Sequence, residues 1–295
     1  VPVFHQDVRV WEVSRKDSGK TVGLFYFDPY ARKGKRSGAW MTAYREQSRV
    51  DGEVLTLVSN NCNFIKGNDN EPILISWDDA TTLFHEFGHA LHGMLAKGTY
   101  ESLSGTSVFW DFVELPSQIF ENWCYEKECL DLFATHYETG EPIPTELIEK
   151  IKNAANFQQG YMTVRQLSFG LLDMAYHSQN PDAIYSIREF EQEVMRKTDL
   201  LPKVEGTMVS TSFSHIFQGG YSSGYYSYKW AEVLDADAFE LFQEKGVFDP
   251  ETAQSFAKNI LSAGGSEHPS VLYRRFRGRD PKPEALLKRS GLLIS

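Results

Sequence analysis

Ser76-Trp77-Asp78-Asp79-Ala80-Thr81-Thr82-Leu83-Phe84-His85-Glu86-Phe87-Gly88-His89-Ala90-Leu91-His92-Gly93-Met94 is the stretch on which the reading of this chain turns. Ser76 or Asp78 can cap a helix here, and Leu83, Phe84, Phe87, Leu91 and Met94 carry its apolar periodicity toward Gly98. Within it, His85-Glu86-Phe87-Gly88-His89 has the form H-E-x-x-H. Residues four apart project from nearly the same face of an α-helix, so two imidazoles can hold one Zn2+ ion. Glu86 lies about 100° round from His85, near enough to reach a water on that ion without becoming a ligand. Zinc brings the pKa of such a water toward ~7, and a carboxylate beside it can accept the proton.

A catalytic zinc ion needs a third protein ligand and an open position. Asp111-Phe112-Val113-Glu114-Leu115-Pro116-Ser117-Gln118 offers one, with Glu114 standing 25 residues after His89. Gly98 and Gly105 let the chain turn between them, so a second helix can pack antiparallel to the first and complete a His₂Glu site. By spacing alone Asp111 and Glu121 rival Glu114 for the ligand role. Asp111, Gln118 and Glu121 stand at i−3, i+4 and i+7 from Glu114, so each can instead orient a ligand imidazole, or simply face solvent. His92, at i+7 from His85, shares the ligand face. A third imidazole one turn further on would strain tetrahedral geometry, so His92 is assigned to packing or to support of the ligands.

A further cluster runs Phe213-Ser214-His215-Ile216-Phe217-Gln218-Gly219-Gly220-Tyr221-Ser222-Ser223-Gly224-Tyr225-Tyr226-Ser227-Tyr228. Paired glycines permit a hinge or a close backbone approach. Tyr221, Tyr225 and Tyr228 then recur at helical spacing, which suits either a packed stripe or a working face. Amide hydrolysis builds negative charge on the carbonyl oxygen, and a phenol or imidazole donor placed there stabilises it.

Outward from these motifs, residues 1–75 read as a small, mostly antiparallel sheet. Its strands are expected at 8–13, 21–27 and 53–59, with a turn at Asp17-Ser18-Gly19-Lys20. Residues 76–295 read as helical, with helices expected at 111–137, 144–176, 181–197, 221–244 and 250–262. The fold class is mainly α. With 295 residues, 41% hydrophobic and 24% charged, the chain can bury a substantial core. Its net charge of −10 argues against nucleic acid as a partner. The one basic run, Arg32-Lys33-Gly34-Lys35-Arg36, reads as a solvated loop. No apolar run reaches the ~20 residues of a membrane span. Three cysteines, Cys62, Cys124 and Cys129, suit a reducing compartment and burial better than a disulfide framework.

Taken together, these segments resemble the thimet oligopeptidase family of zinc metallopeptidases, and its peptidyl-dipeptidase (dipeptidyl carboxypeptidase) branch most closely. Phe25-Tyr26-Phe27-Asp28-Pro29-Tyr30, Phe84-to-His92, Asp111-to-Gln118 and His215-to-Tyr228 carry the resemblance, in the expected order. The resemblance implies a zincin-type catalytic lobe holding one Zn2+ ion through His85, His89 and Glu114, with Glu86 as base. It makes His215, Tyr225 and Tyr228 donors to substrate and oxyanion, and Tyr221 a residue gripping substrate near its C-terminus. Short peptides are the implied substrates, losing C-terminal dipeptides or being cut at internal bonds, and the cytoplasm is the implied compartment. Family members are about twice this length, so the chain reads as a catalytic portion whose partner is the N-terminal half of the same enzyme. A peptide-binding fragment that keeps zinc without turnover is the alternative from outside the enzymes.

Overall fold

The strand-forming runs near the N-terminus do build a sheet. The computed structural model, which describes residues 1–67 and 71–293, contains four strands. These are β1 (Arg9–Ser14), β2 (Thr21–Tyr30), β3 (Trp40–Arg45) and β4 (Thr56–Phe64), in the spatial order β1-β2-β4-β3. Gly19 closes the β1–β2 turn at φ +65° and donates to the Arg15 carbonyl at 2.8 Å. β1–β2 and β3–β4 pair antiparallel, whereas β2 and β4 run parallel. The sheet is thus mostly antiparallel but mixed, because the chain crosses from β2 to the far edge before returning through the middle. Strand β4 starts later than the expected 53–59 segment, at Thr56, and runs beyond it through polar Asn60 and Asn61. Flanking strands on both sides satisfy its backbone, and Asn61 Nδ2 donates to the Trp40 carbonyl at 3.3 Å. Strand β3 was not expected; it is drawn into the sheet by pairing rather than by its own sequence.

The basic run departs from the solvated loop expected of it. Arg32 forks onto both Asp28 carboxylate oxygens at 2.6 and 2.7 Å, and Lys35 Nζ donates to the Asp28 and Tyr30 carbonyls. Two of its four cations therefore fasten the loop to the end of β2.

Eleven α-helices follow among the described residues. They are α1 (Trp77–Met94), α2 (Leu115–Glu121), α3 (Lys127–Leu130), α4 (Thr145–Ala155), α5 (Gln159–Ser178), α6 (Ile187–Met195), α7 (Ser214–Phe217), α8 (Ser227–Lys245), α9 (Pro250–Phe256), α10 (Pro269–Arg277) and α11 (Glu284–Arg289). Ser76, not Asp78, caps α1, in a reciprocal box with Asp79. The helix stops at Met94, short of Gly98.

Several expected helices are broken, each for a local reason. The 111–137 segment divides into a 3-10 turn at Trp110–Phe112, then α2, a second 3-10 turn and α3. Pro116 falls in the first turn of α2, where a missing N–H costs nothing. The 144–176 segment breaks where Gln158 takes a left-handed φ of 56°. The 221–244 helix begins only at Ser227, because residues 221–226 form a tight turn with Ser223 at φ 56°.

Helix and strand contents of 46% and 12% place the chain in the α-rich class. The largest core cluster joins α2, α8, α9 and α10 through Leu115, Ile119, Phe239, Phe242, Phe256 and Leu272. At roughly 1.5–3 kcal/mol for each such side chain, this cluster holds α2 in place. A smaller cluster of Val58, Ala90 and Met94 fastens α1 to β4. Helix α1 is thereby clamped between sheet and α2, and the site lies on the α2 side.

Candidate metal centre and active site

Helix α1 crosses α2 closely at Gly88. A Cβ there would stand 2.3 Å from the Pro116 carbonyl oxygen and 2.7 Å from the Ser117 Cα. This crossing lets His85 and His89 reach the entry of α2, where Glu114 is the N-cap residue. The two imidazole rings lie 5.0 Å apart at 83°. Glu114 Oε2 is 3.3 Å from His85 Nε2 and 3.2 Å from His89 Nε2.

Among the described residues, His85, His89 and Glu114 form the group whose ligand atoms all lie within 4.8 Å of one another. Bonds of about 2.05 Å to a tetrahedral zinc ion would hold two ligand atoms about 3.3 Å apart. Both N-to-O separations match that span, and the two-imidazole, one-carboxylate donor set suits zinc. The residues present therefore fit the metal.

Glu114 and His85 are themselves held, whereas His89 Nδ1 is buried without a hydrogen-bond partner. Ser117 Oγ donates to Glu114 Oε2 at 2.9 Å and the Tyr221 hydroxyl to Oε1 at 2.6 Å. Glu121 Oε1 lies 2.6 Å from His85 Nδ1, turning Nε2 toward the ligand cluster. Burial opposes a charge on His85, but Glu114 and Glu121 on either side outweigh it and hold the imidazole well above its ordinary range. Burial also opposes a charge on Glu114, yet His89 and His85 hold its carboxyl well below the usual range.

Glu86 is buried beside them, with Oε2 lacking a hydrogen-bond partner. Burial raises its pKa, and the nearby imidazoles only partly offset that. It borders a cavity of about 270 Å³ together with Ala39, Thr81, Thr82, His85 and Glu121. His92 stands outside the ligand group. It is fully buried, and burial pushes its pKa down to about 3. Asp111 is also outside, accepting from the Tyr226 hydroxyl at 2.7 Å. Gln118 donates to the Tyr228 carbonyl at 3.3 Å.

The tyrosine cluster, built from α7, the 221–226 turn and α8, meets this centre through the Tyr221 hydroxyl on Glu114. Tyr221 and Tyr228 stack with centroids 4.9 Å apart at 21°. The His215 ring lies 5.9, 6.0 and 6.4 Å from the rings of Tyr221, Tyr225 and Tyr228. Burial, then the Glu114 charge, raises the pKa of both Tyr221 and Tyr228, so their hydroxyls stay protonated donors. The Tyr221 hydroxyl is spent on Glu114. The Tyr225 hydroxyl points to Gln166 Oε1 at 3.4 Å.

A profile of the family described as "Peptidase family M3" matches residues 1–292. The chain belongs to that family. Over 296 residues it is 47% identical to "Oligopeptidase A" of Escherichia coli (strain K12), covering 99% of this chain and 43% of that protein. To the "Dipeptidyl carboxypeptidase" of the same organism it is 42% identical, covering 100% of this chain and 43% of the relative. The sequence reading put the resemblance closest to the peptidyl-dipeptidase branch, and identity runs the other way. This M3 chain spans less than half the length of both relatives. Among solved structures, "PZ PEPTIDASE A with inhibitor 2" shares the fold at a TM-score of 0.63 and 18% identity, over 90% of this chain and 43% of that one.

Two supports of the M3 site escaped the sequence. Ser117 sits at i+3 from Glu114, a spacing that reads as an ordinary helix residue until Glu114 proves to be the N-cap. Asp173 is fully buried on α5, where its two oxygens accept from the Ser223 and Tyr225 backbone N–H groups at 2.9 Å each. An acid within the apolar run Phe169-Gly170-Leu171-Leu172-Asp173-Met174 is a signal, but nothing local says what it holds.

Proposed function

We propose that this chain hydrolyses peptide bonds in short peptides and releases dipeptides from free C-termini. The observation that carries hydrolysis is the convergence of His85, His89 and Glu114 beside a buried Glu86 carboxylate with one oxygen free. Zinc held by those three side chains would supply a Lewis acid for the scissile carbonyl and a water of lowered pKa. Glu86 takes the proton of the attacking water and returns it to the leaving nitrogen, its raised pKa suiting both transfers. Tyr228 and His215 donate to the oxygen on which negative charge develops, and Tyr225 borders the same space. Tyr221 acts through Glu114, fixing that carboxylate rather than touching the peptide's C-terminus.

Dipeptide release follows from the resemblance of the His215-to-Tyr221 spacing to the peptidyl-dipeptidase branch. A second reading, cleavage at internal bonds, is favoured by the higher identity to an oligopeptidase A. The cytoplasm, one Zn2+ ion, short peptides and an N-terminal half of the same enzyme as partner belong to the same proposal.

Mass spectrometry of a ten-residue peptide incubated with the zinc-loaded chain tests it, with the C-terminus free or amidated. Stepwise dipeptide loss blocked by amidation is expected. Internal cuts indifferent to amidation would transfer the reading to an oligopeptidase. Metal binding without any cut would leave a peptide-binding fragment.

A further inference from the structure

We propose that Asp173 of α5 is a positioning residue for the metal, setting zinc affinity through the turn that carries Tyr221 onto Glu114. The inference rests on the zinc reading above and extends it to a helix outside the ligand group. Its starting point is the fully buried Asp173 carboxylate, whose Oδ1 and Oδ2 accept the Ser223 and Tyr225 N–H groups at 2.9 Å each. The helix bearing it is fixed, since the adjacent Leu172 packs in one core cluster with Phe213, Ile216 and Met195.

The turn needs such a hold. Residues 221–224 form a β-turn closed by the Gly224 N–H on the Tyr221 carbonyl at 2.8 Å. Ser223, its third residue, sits at φ 56°, where a residue bearing a side chain persists only when its surroundings enforce it. Asp173 enforces it from one side. Trp110 closes the other, since a Cβ on Gly224 would stand 3.0 Å from its Cδ1 and its ring lies 4.9 Å from that of Tyr221. The turn is thus wedged between α5 and the segment leading to Glu114. Two of its hydroxyls cross to that segment, Tyr221 to Glu114 Oε1 at 2.6 Å and Tyr226 to Asp111 Oδ2 at 2.7 Å. Each link from Asp173 to the ligand carboxylate is therefore a hydrogen bond or a short stretch of backbone.

A carboxylate suits this place because it accepts both N–H groups, one per oxygen, whereas an amide would set its NH2 against one of them. Its charge also strengthens both bonds. Other buried acids meet cations: Asp28 faces Arg32 and Lys35, Asp235 faces Arg289, and Asp237 faces Arg277 and Arg279. Asp173 faces backbone, with His177 Nδ1 2.8 Å from its Oδ1. Glu191 also grips backbone, but at Val209 and Ser210, outside the turn, which makes it the control.

Zinc affinity by chelator competition tests the assignment, in a double-mutant cycle of Asp173→Asn with Tyr221→Phe and with thermal melts beside each. Each single change should weaken zinc about tenfold, and the pair about tenfold as well, because both break one path. Independent effects would multiply to about a hundredfold. Glu191→Gln should lower the melting temperature and leave zinc affinity unchanged. Should Asp173→Asn not fold, Ser223→Pro on the exposed turn deletes one of the two gripped N–H groups and enters the same cycle. Wild-type affinity in the folded variant, losses that multiply, or an equal loss in Glu191→Gln would overturn the assignment. A wild type that binds no zinc refutes the zinc reading, and this inference with it. Cleavage of the ten-residue peptide is scored separately. Cleavage with zinc affinity untouched in Asp173→Asn sinks Asp173 alone, whereas Asp173-dependent affinity without cleavage upholds Asp173 and refutes hydrolysis.

Discussion

Gly88→Ala tests how the two ligand-bearing helices are held together. The added methyl would meet the Pro116 carbonyl oxygen at 2.3 Å and the Ser117 Cα at 2.7 Å, where ordinary contact begins at 3.4 Å. Both obstacles are backbone, so no side chain can rotate out of the way, and α1 and α2 must separate by about 1 Å. Overpacking of this kind costs roughly 1–3 kcal/mol. The displacement also parts His85 and His89 from Glu114, and 1 Å is about five times the ~0.2 Å tolerance of a metal–ligand bond. Zinc affinity should fall by about a hundredfold, which at fixed zinc removes a further 2.7 kcal/mol or so of metal-linked stability. Thermal melts with and without zinc, with chelator competition for affinity, measure the two effects separately. Gly160→Ala is the control, since a Cβ there meets nothing within 4 Å. A Gly88→Ala chain that melts with the wild type and holds zinc as tightly would refute the close-crossing argument.

Replacing Glu86 with Gln should leave zinc binding intact while cutting turnover by about 10²–10⁴-fold, read from metal content beside peptide cleavage. Glu121→Gln weakens the grip on His85 Nδ1 and should cost about 10–100-fold in zinc affinity, measured by competition with a chromogenic chelator. Glu191 accepts from the Val209 and Ser210 backbone N–H groups and the Ser210 hydroxyl at 3.0, 2.8 and 2.6 Å, tying α6 to the segment that enters α7. Burial raises its pKa, but the Ser210 and Val209 donors outweigh that and lower it below 4.5. Its stabilising contribution is therefore complete above pH ~4.5 and is lost as pH falls through the lower folded value. Urea melts should show Glu191→Gln less stable by about 2 kcal/mol at pH 7, with the gap closing in acid. A gap that persists at low pH would mean the charge plays no part.

The site and the fold differ in how much of each was legible. His85, Glu86 and His89 were readable because their chemistry rests on helical spacing, a local property fixed within five residues. Glu114 was readable only as one of three carboxylates, since the choice among them depends on where α2 begins. Spacing placed it on a continuous helix, whereas Pro116 and the core contacts of Leu115 and Ile119 start the helix just after it. Glu121 faces His85 because α2 keeps its helical phase to that point. The sheet class was legible from alternation, but β3 and the parallel β2–β4 pairing were not, because strand order depends on partners distant in sequence.

The sequence by itself determined which groups are available, namely two imidazoles and a carboxylate on one capped, amphipathic helix, a second carboxylate downstream, and a glycine-rich tyrosine cluster. Only the tertiary structure decided what those groups act through. It brought Tyr221 onto Glu114, Glu121 onto His85 and Asp173 under the tyrosine turn. Helical periodicity specifies the face a side chain occupies on its own element, whereas its partner depends on how close two backbones approach. Here that distance is set by Gly88 against Pro116, and neither residue's local sequence carries it.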